Sequence, residues 1–339
     1  MAALAPGLPD VIARHRGAIE AALSQALAPE GSPLTQPARY VMGWQAEDGS
    51  PLVSGGKRIR PALTVVAAGI FGGSVDDAMP GAVAVELVHN FSLVHDEIQD
   101  QDDVRHGRPT AYTVWGPGQA INLGDFIYAR AVRSLTAGRG DVGRRMAALD
   151  VLLRAVEGMI GGQWRDIAFE VREAVSVAEY LEMVEGKTGV LLGAALQMGA
   201  ILGGASSQDA SIMGQWGVKL GLAFQAIDDY LGIWGDQSLT GKTTTGDIAR
   251  KKKTLPLVHT VSDPDGGPVI RRAFAADRQV EEYDAIVAAV ERAGGDALCR
   301  ELARRYADEA DVLLDSMVLA PEARADLRTV ADYFVTRDF

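Results

Sequence analysis

The chain has 339 residues, with 33 Lys+Arg against 45 Asp+Glu, a formal net charge of −12 and an apolar fraction of 47%. The acidic balance argues against a nucleic-acid binder working through a general basic surface. It also argues against a strongly anionic ligand, unless basic clusters or metal ions invert the local field. A single cysteine, Cys299, excludes an internal disulfide framework and any multi-cysteine zinc site, and it fits a reducing compartment.

No basic stretch followed by an apolar run marks the N-terminus as a signal peptide. Apolar residues then recur three and four apart through residues 19–27, 83–98, 151–167, 180–201, 212–233 and 283–290, which predicts amphipathic helices. Ser176 with Glu179 makes a capping-box pattern, and Ser206 with Asp209 makes a weaker one. Gly72-Gly73 and Gly203-Gly204 stand where helices stop. The most apolar run, 189–205, is short, rich in glycine and interrupted by Gln197, so it reads as a buried core helix rather than a membrane span. Strand-like alternation is scarce, with neither an internal repeat nor a long linker. The expected fold is all-α, a single domain over 1–339 with ten or more helices. Two loops, 29–56 with the Lys57-Arg58-Ile59-Arg60-Pro61 run that ends it, and 235–254, hold much of the concentrated positive charge and read as lids or binding loops.

The helix from Glu86 to Asp100 carries the chemistry. At 100° per residue Glu86, His89, Leu93, Asp96 and Asp100 fall within a wedge roughly 80° wide. Val83, Val85, Leu87, Val88, Phe91, Val94 and Ile98 surround them. Two carboxylates about 4 Å apart repel by about 4 kcal/mol at an effective dielectric of about 20. A divalent cation removes that penalty, and oxygen-only ligands favour Mg²⁺. Read alone, the acids from Asp96 to Asp103 fit a solvated helix end better than a metal site. A second acidic pair inside an apolar helix, Asp228-Asp229 within Phe224–Leu231, shifts the balance toward paired metal sites. Basic residues complete the pattern. Lys57 and Arg60 stand at a Gly-Gly helix entry suited to anions, Arg105 and Arg108 follow the first acidic cluster, and Lys187-Thr188 begins the next apolar helix. Lys242, Lys251, Lys252 and Lys253 lie in the second loop.

These residues resemble the trans-isoprenyl diphosphate synthases of the polyprenyl synthetase family. The matching segments, in order, are Gly55–Pro61, Leu93–Asp100, Arg105–Thr110, Asn122–Asp125, Gly162-Gln163 with Asp166, Lys187–Gly189, Phe224–Asp229 and Lys252–Pro256. The resemblance implies a helical bundle around a central apolar cavity, in a cytoplasmic homodimer without a transmembrane segment or a nucleic-acid partner. It implies that isopentenyl diphosphate condenses with an allylic diphosphate, and that three Mg²⁺ ions serve as cofactor with Mn²⁺ as a substitute. Asp96, Asp100 and Asp228 are the implied metal ligands. Arg105, Lys187, Lys252 and Lys242 are the implied grip on the allylic diphosphate. Lys57, Arg60 and His89, with His106, are the implied grip on isopentenyl diphosphate. Thr188 and Gln225 fall near the reacting carbons, while Glu97, Asp166 and Asp229 fall behind the ligands.

Three positions depart from the family pattern. Glu97 replaces an aspartate, Gly232 replaces the third acid of the second motif, with Asp236 a doubtful substitute, and His106 replaces an arginine. An imidazole with its ordinary pKa of about 6.5 is mostly neutral at pH 7. Phe91 and Ser92, one turn before Asp96, are the expected chain-length residues. One aromatic and one small residue there resemble a geranylgeranyl diphosphate synthase, with farnesyl diphosphate the next product. Two other functions use the same features. A class I terpene cyclase ionises an allylic diphosphate but needs no second diphosphate site. A non-catalytic partner subunit of a heteromeric synthase would have lost Asp96, Asp100 or Asp228.

Overall fold

The computed structural model describes residues 8–28, 31–52, 56–235, 246–275, 280 and 282–335. Helices dominate them, as the 3.6-residue spacing predicts. Short helices α1 (Asp10–Ala13), α2 (Arg16–Ala26) and α3 (Thr35–Val41) precede α4 (Ile59–Ile70) and the long α5 (Val75–Gln99). An antiparallel hairpin of β1 (Val104–Arg105) and β2 (Arg108–Pro109) leads through α6 (Ala111–Trp115) to α7 (Pro117–Thr136) and α8 (Val142–Glu170). Helix α9 (Val177–Val184) passes through a π-helical turn (Glu185–Gly189) into α10 (Val190–Gly203), and α11 (Ser207–Trp234) follows. The remainder comprises α12 (Gly246–Ala249), α13 (Leu255–Val261), α14 (Gly266–Ala273), α15 (Tyr283–Arg292), α16 (Gly295–Asp315) and α17 (Pro321–Val335). Among the described residues, no helix is long and apolar enough to cross a membrane.

Local chemistry sets the helix ends. Ser74 opens α5 with a capping box to Asp77, and Ser176 opens α9 with one to Glu179, so two backbone N–H groups are satisfied at each start. Gly72 and Gly204 adopt φ of 86° and 97°, beyond the ends of α4 and α10, where a side chain would be strained. The segment expected to begin a new helix at Lys187-Thr188 instead carries the π-turn, so α9 and α10 form one helical run with a widened turn inside it. The first basic loop also contains α3, and the second contains α12.

The chain divides into two compact units. The first comprises residues up to Val156, together with Ala194–Gly214 and Pro321–Asp326. Here α5 packs against α4 and α7. Leu63, Leu87, Leu123 and Ile127 are fully buried, each contributing about 2 kcal/mol. The second comprises Glu157–Gly193, Gln215–Ala320 and the residues from Leu327 onward. Tyr180, Met183, Leu222, Ala226 and Leu302 form one core there, and Ile248, Leu257, Ile270 and Ile286 form another.

Candidate active site

In the first unit, α5 keeps its apolar face in the core and brings Glu86, His89, Asp96 and Asp100 along the polar wedge expected from the sequence. Asp96 and Asp100 lie one turn apart, half-buried, with the Asp100 N–H donating to the Asp96 carbonyl at 2.7 Å. Glu97 turns the other way. It is buried, with Oε1 3.7 Å from Arg105 Nη1. Burial raises the Glu97 carboxyl above the usual carboxylate range, and the Arg105 guanidinium partly offsets this. The extra methylene of Glu97, relative to aspartate, extends its carboxylate toward the hairpin that carries Arg105.

That hairpin turns on His106 and Gly107, both with positive φ (51° and 73°), as a tight two-residue antiparallel connection requires. Arg108 braces it by donating to the Gln45 carbonyl at 2.8 Å and lying over the Tyr40 ring at 4.1 Å, and the Tyr40 hydroxyl donates to the Pro109 carbonyl at 2.6 Å. Between hairpin, α4 and α5 lies a cavity of about 560 Å³. Lys57, Arg60, His89, Arg105 and His106 all line it. Arg105, expected with the allylic diphosphate, therefore shares a cavity with the group expected on isopentenyl diphosphate. Five cationic side chains (Lys57, Arg58, Arg60, Arg105 and Arg108) face two carboxylates (Glu86 and Glu97) there, an inversion of the protein's overall charge. The Arg60 Nε is buried without a hydrogen-bond partner among the described residues. Burial and then Arg60, Arg105 and Arg58 hold His89 well below the ordinary histidine range, so its imidazole is neutral at pH 7. Burial and then Arg105 lower His106. The excess of cationic over acidic side chains suits an anion.

Farther along α5, the Phe91 ring is buried between His95 and Tyr128 of α7, with ring centroids 5.5 Å and 5.1 Å away. Ser92 donates its hydroxyl back to the His89 carbonyl at 2.9 Å. A Cβ at Gly124 would collide with the His95 ring, which explains the glycine of the Asn122–Asp125 segment.

The second unit gathers the remaining expected residues around the π-turn and α11. Lys187 Nζ pairs with Asp166 Oδ2 at 2.5 Å. A Cβ at Gly162 would strike the Lys187 backbone, so this glycine permits α8 and the π-turn carrying Thr188 to approach closely. On α11 the two acids again diverge. Asp228 is half-buried, while Asp229 is only 3% exposed. The Tyr180 hydroxyl and the Leu255 N–H (3.0 Å) donate to Asp229 Oδ2, and Gln225 Nε2 donates to Oδ1 at 2.9 Å. Burial pushes the Asp229 carboxyl up to about 7 against the pull of these donors. Asp229 thus orients Gln225 and anchors the start of α13, two residues beyond the Lys252-Lys253 pair. A Cβ at Gly232 would stand 2.8 Å from Asp247 Oδ2, so the missing third acid leaves space filled by a carboxylate from α12. Lys242 and Asp236 lie outside the described residues.

Arg58, Tyr128, Tyr180 and Asp247 complete these groupings but were not singled out from the sequence. Asp247, after Gly246 in the second basic loop, was the most accessible to sequence reasoning. Tyr128 and Tyr180 carry no local signal of their own.

Residues 46–290 match the family model described as "Polyprenyl synthetase". The chain belongs to the polyprenyl synthetase family. Within this polyprenyl synthetase family it is similar to the geranylgeranyl diphosphate synthase of Methanosarcina mazei, 34% identical over 338 residues that cover 98% of each chain. It is also similar to the (2E,6E)-farnesyl diphosphate synthase of Mycobacterium bovis, 39% identical over 308 residues, 88% of this chain and 84% of that one. The crystal structure of a polyprenyl synthetase from Streptomyces coelicolor A3(2) superposes with a TM-score of 0.89 at 38% identity, covering 96% and 98% of the two chains. The all-α expectation is therefore met by the family fold.

The acidic residues suit a hard divalent ion. Asp96, Asp100 and Asp228 offer carboxylate oxygens, and among the described residues no three acidic, cysteine or histidine groups converge into a ready-made cage. An ion held by one or two carboxylates and completed by water and phosphate oxygens is the usual mode for Mg²⁺.

Proposed function

We propose that this polyprenyl synthetase is a short-chain prenyltransferase that condenses isopentenyl diphosphate with dimethylallyl, geranyl or farnesyl diphosphate. Its product is geranylgeranyl diphosphate, with farnesyl diphosphate as the next candidate, and the two named relatives support that range. The carrying observation is the cationic cavity around Lys57, Arg60 and His89, which supplies an anion site that a class I terpene cyclase does not need. The partner-subunit reading has no support from the acids, since Asp96, Asp100 and Asp228 are all present.

In this reading Asp96, Asp100 and Asp228 hold Mg²⁺, three ions in all, with Asp247 contributing charge beside Gly232. When bound, Mg²⁺ acts as a Lewis acid that stabilises the departing diphosphate. Lys187, Lys252 and Lys242 grip that diphosphate, with Asp166 aiming Lys187. Lys57, Arg60, His89 and His106 hold isopentenyl diphosphate, and Arg105 serves the same cavity. Thr188 and Gln225 line the path of the reacting carbons. The allylic C1–O bond breaks, the isopentenyl double bond attacks C1, and the departing diphosphate accepts the C2 proton. Exclusion of water around the reacting carbons would protect the cation.

Residues 1–339 act as one synthase domain in this reading, in the cytoplasm and as a homodimer. Ile160, Trp164, Ile167 and Val171 form an exposed apolar stripe on and just beyond α8, which suits a face covered by a second copy. Light scattering checks this: wild type at twice the chain mass, Trp164→Glu at one.

Incubation with Mg²⁺ and each allylic diphosphate, with and without isopentenyl diphosphate, tests the function. Elongated diphosphates are expected only when isopentenyl diphosphate is present, whereas a hydrocarbon or alcohol formed without it would establish the cyclase instead. Phe91→Ala is expected to lengthen the product by opening the space beside Tyr128. An unchanged product on chromatography would remove Phe91 as the stop.

A further inference from the structure

Arg58 stands between Lys57 and Arg60 at the Gly-Gly helix entry yet does not behave as a ligand. Its side chain is only 3% exposed. Its Nε donates to Glu20 Oε1 at 2.9 Å, its Nη1 to Glu86 Oε1 at 2.8 Å and its Nη2 to the Met42 carbonyl at 2.9 Å. The Trp44 indole N–H donates to the other Glu20 oxygen at 2.7 Å, and the Arg58 guanidinium lies 5.9 Å from the Trp44 ring. One side chain therefore ties together α2, the segment after α3, and α5.

The backbone of Arg58 is as unusual as its side chain. It caps α4 in the left-handed region, with φ 51° and ψ 41°, and no side-chain hydrogen bond caps the helix there. A residue with a Cβ adopts that conformation at a free-energy cost, which the surrounding contacts must offset. The guanidinium contacts supply that compensation. The left-handed turn brings Lys57, before it, and Arg60, after it, onto the wall of the same cavity. The same pairing engages the carboxylate of Glu86, which lines that cavity and would otherwise oppose an anion.

We propose that Arg58 is a positioning residue for the cationic cavity: held by Glu20, Glu86 and Met42, it fixes the left-handed turn that presents Lys57 and Arg60 to a diphosphate and neutralises Glu86 beside them. The proposal rests on reading this cavity as the isopentenyl diphosphate site. Glu20 makes the distinguishing test possible. It does not line the cavity, so its influence on substrate there passes through the groups it holds, Arg58 and Trp44, of which Arg58 alone lines the cavity.

The experiment is steady-state kinetics of the full chain with Mg²⁺, varying isopentenyl and allylic diphosphate separately, for Lys57→Ala, Arg58→Lys, Glu20→Gln and the double variant Glu20→Gln/Arg58→Lys. Losing well-formed charged hydrogen bonds is expected to raise the isopentenyl diphosphate KM about tenfold in Arg58→Lys. A smaller rise is expected in Glu20→Gln, with the allylic KM and kcat close to wild type in both. The double variant is expected to be no worse than Arg58→Lys alone, because both changes act on one contact. If Arg58→Lys does not fold, Glu20→Gln decides alone. A raised isopentenyl KM in Lys57→Ala with no change in Glu20→Gln and Arg58→Lys overturns the positioning role, as does an equal rise of both KM values. An unchanged KM in Lys57→Ala overturns the site assignment itself, and the proposal with it.

Discussion

The two acidic clusters look alike in sequence, each an acid pair set in an apolar helix, but their folded environments differ. On α5, Asp96 is half-buried while its neighbour Glu97 turns inward toward Arg105, 3.7 Å away and itself partly exposed. On α11, Asp228 is half-buried while Asp229 turns inward to three hydrogen-bond donors from α9, α11 and the start of α13. In both pairs the second acid is tied to neighbouring groups, and in the proposed reading the first is the one that holds Mg²⁺. The α5 tie is a long ion pair to a hairpin with the Ala111 backbone N–H beside it; the α11 tie is a closed, buried network. Replacement of aspartate by glutamate is therefore tolerable at position 97, where a longer arm still meets Arg105. At position 229, one oxygen serves both Tyr180 and Leu255, leaving no such freedom.

Substitutions at the four acids separate these two environments. The largest effect belongs to the first acids: Asp96→Ala and Asp228→Ala are each expected to lower kcat/KM by about a thousandfold, since the support for a leaving diphosphate is worth several kcal/mol. Their melting temperatures are expected to stay near wild type. Among the second acids, Asp229→Ala strands the Tyr180 hydroxyl and the Leu255 N–H, and urea unfolding is expected to show a loss of about 3 kcal/mol. Glu97→Gln keeps the side-chain shape and removes a buried charge that Arg105 only partly offsets, so its stability is expected to change by less than about 1 kcal/mol. Equal losses at the two positions would erase the distinction.

The smallest effect concerns a carboxylate in neither cluster. Glu179 accepts from Arg172 at 2.7 Å and from the Ser176 backbone at 2.9 Å, which hold its carboxyl at about 2 rather than the ordinary 4.5. A depressed acid contributes stability above its unfolded pKa and loses it as pH falls from about 4.5 toward about 2. Thermal melts of Glu179→Gln are therefore expected to fall slightly below wild type at pH 7 and to converge with it near pH 2. A constant gap at all pH values would show that the Arg172 and Ser176 contacts are not the source.

Much of this architecture was legible in the sequence because it depends on spacing. The polar wedge of α5, the Ser176 capping box and the glycine stops at Gly72 and Gly204 are consequences of the 3.6-residue period and of backbone freedom. The π-turn was not legible, because Glu185–Gly189 has no composition that distinguishes it from an ordinary turn. It becomes intelligible only once Gly162 is seen to admit the Lys187 backbone. Arg58 was hidden for a different reason. Beside Lys57 and Arg60 it reads as one more cation for an anion, and only its contacts to Glu20, Met42 and Glu86 reveal an inward role. The split within each acid pair came only from the family resemblance, since adjacent carboxylates differ in the sequence only in where the helix turns them. The departure at Gly232, which removes an acid in sequence, is met in space by Asp247.

The division of labour within each pair is tested most directly by titrating activity with Mg²⁺ in four variants measured side by side: Asp96→Asn, Glu97→Gln, Asp228→Asn and Asp229→Asn. The Mg²⁺ concentration for half-maximal activity is expected to rise at least about tenfold in Asp96→Asn and Asp228→Asn. Little change is expected in the other two, and in Asp229→Asn the melting temperature falls instead. A midpoint in Glu97→Gln or Asp229→Asn displaced as far as that of its neighbour would contradict this division.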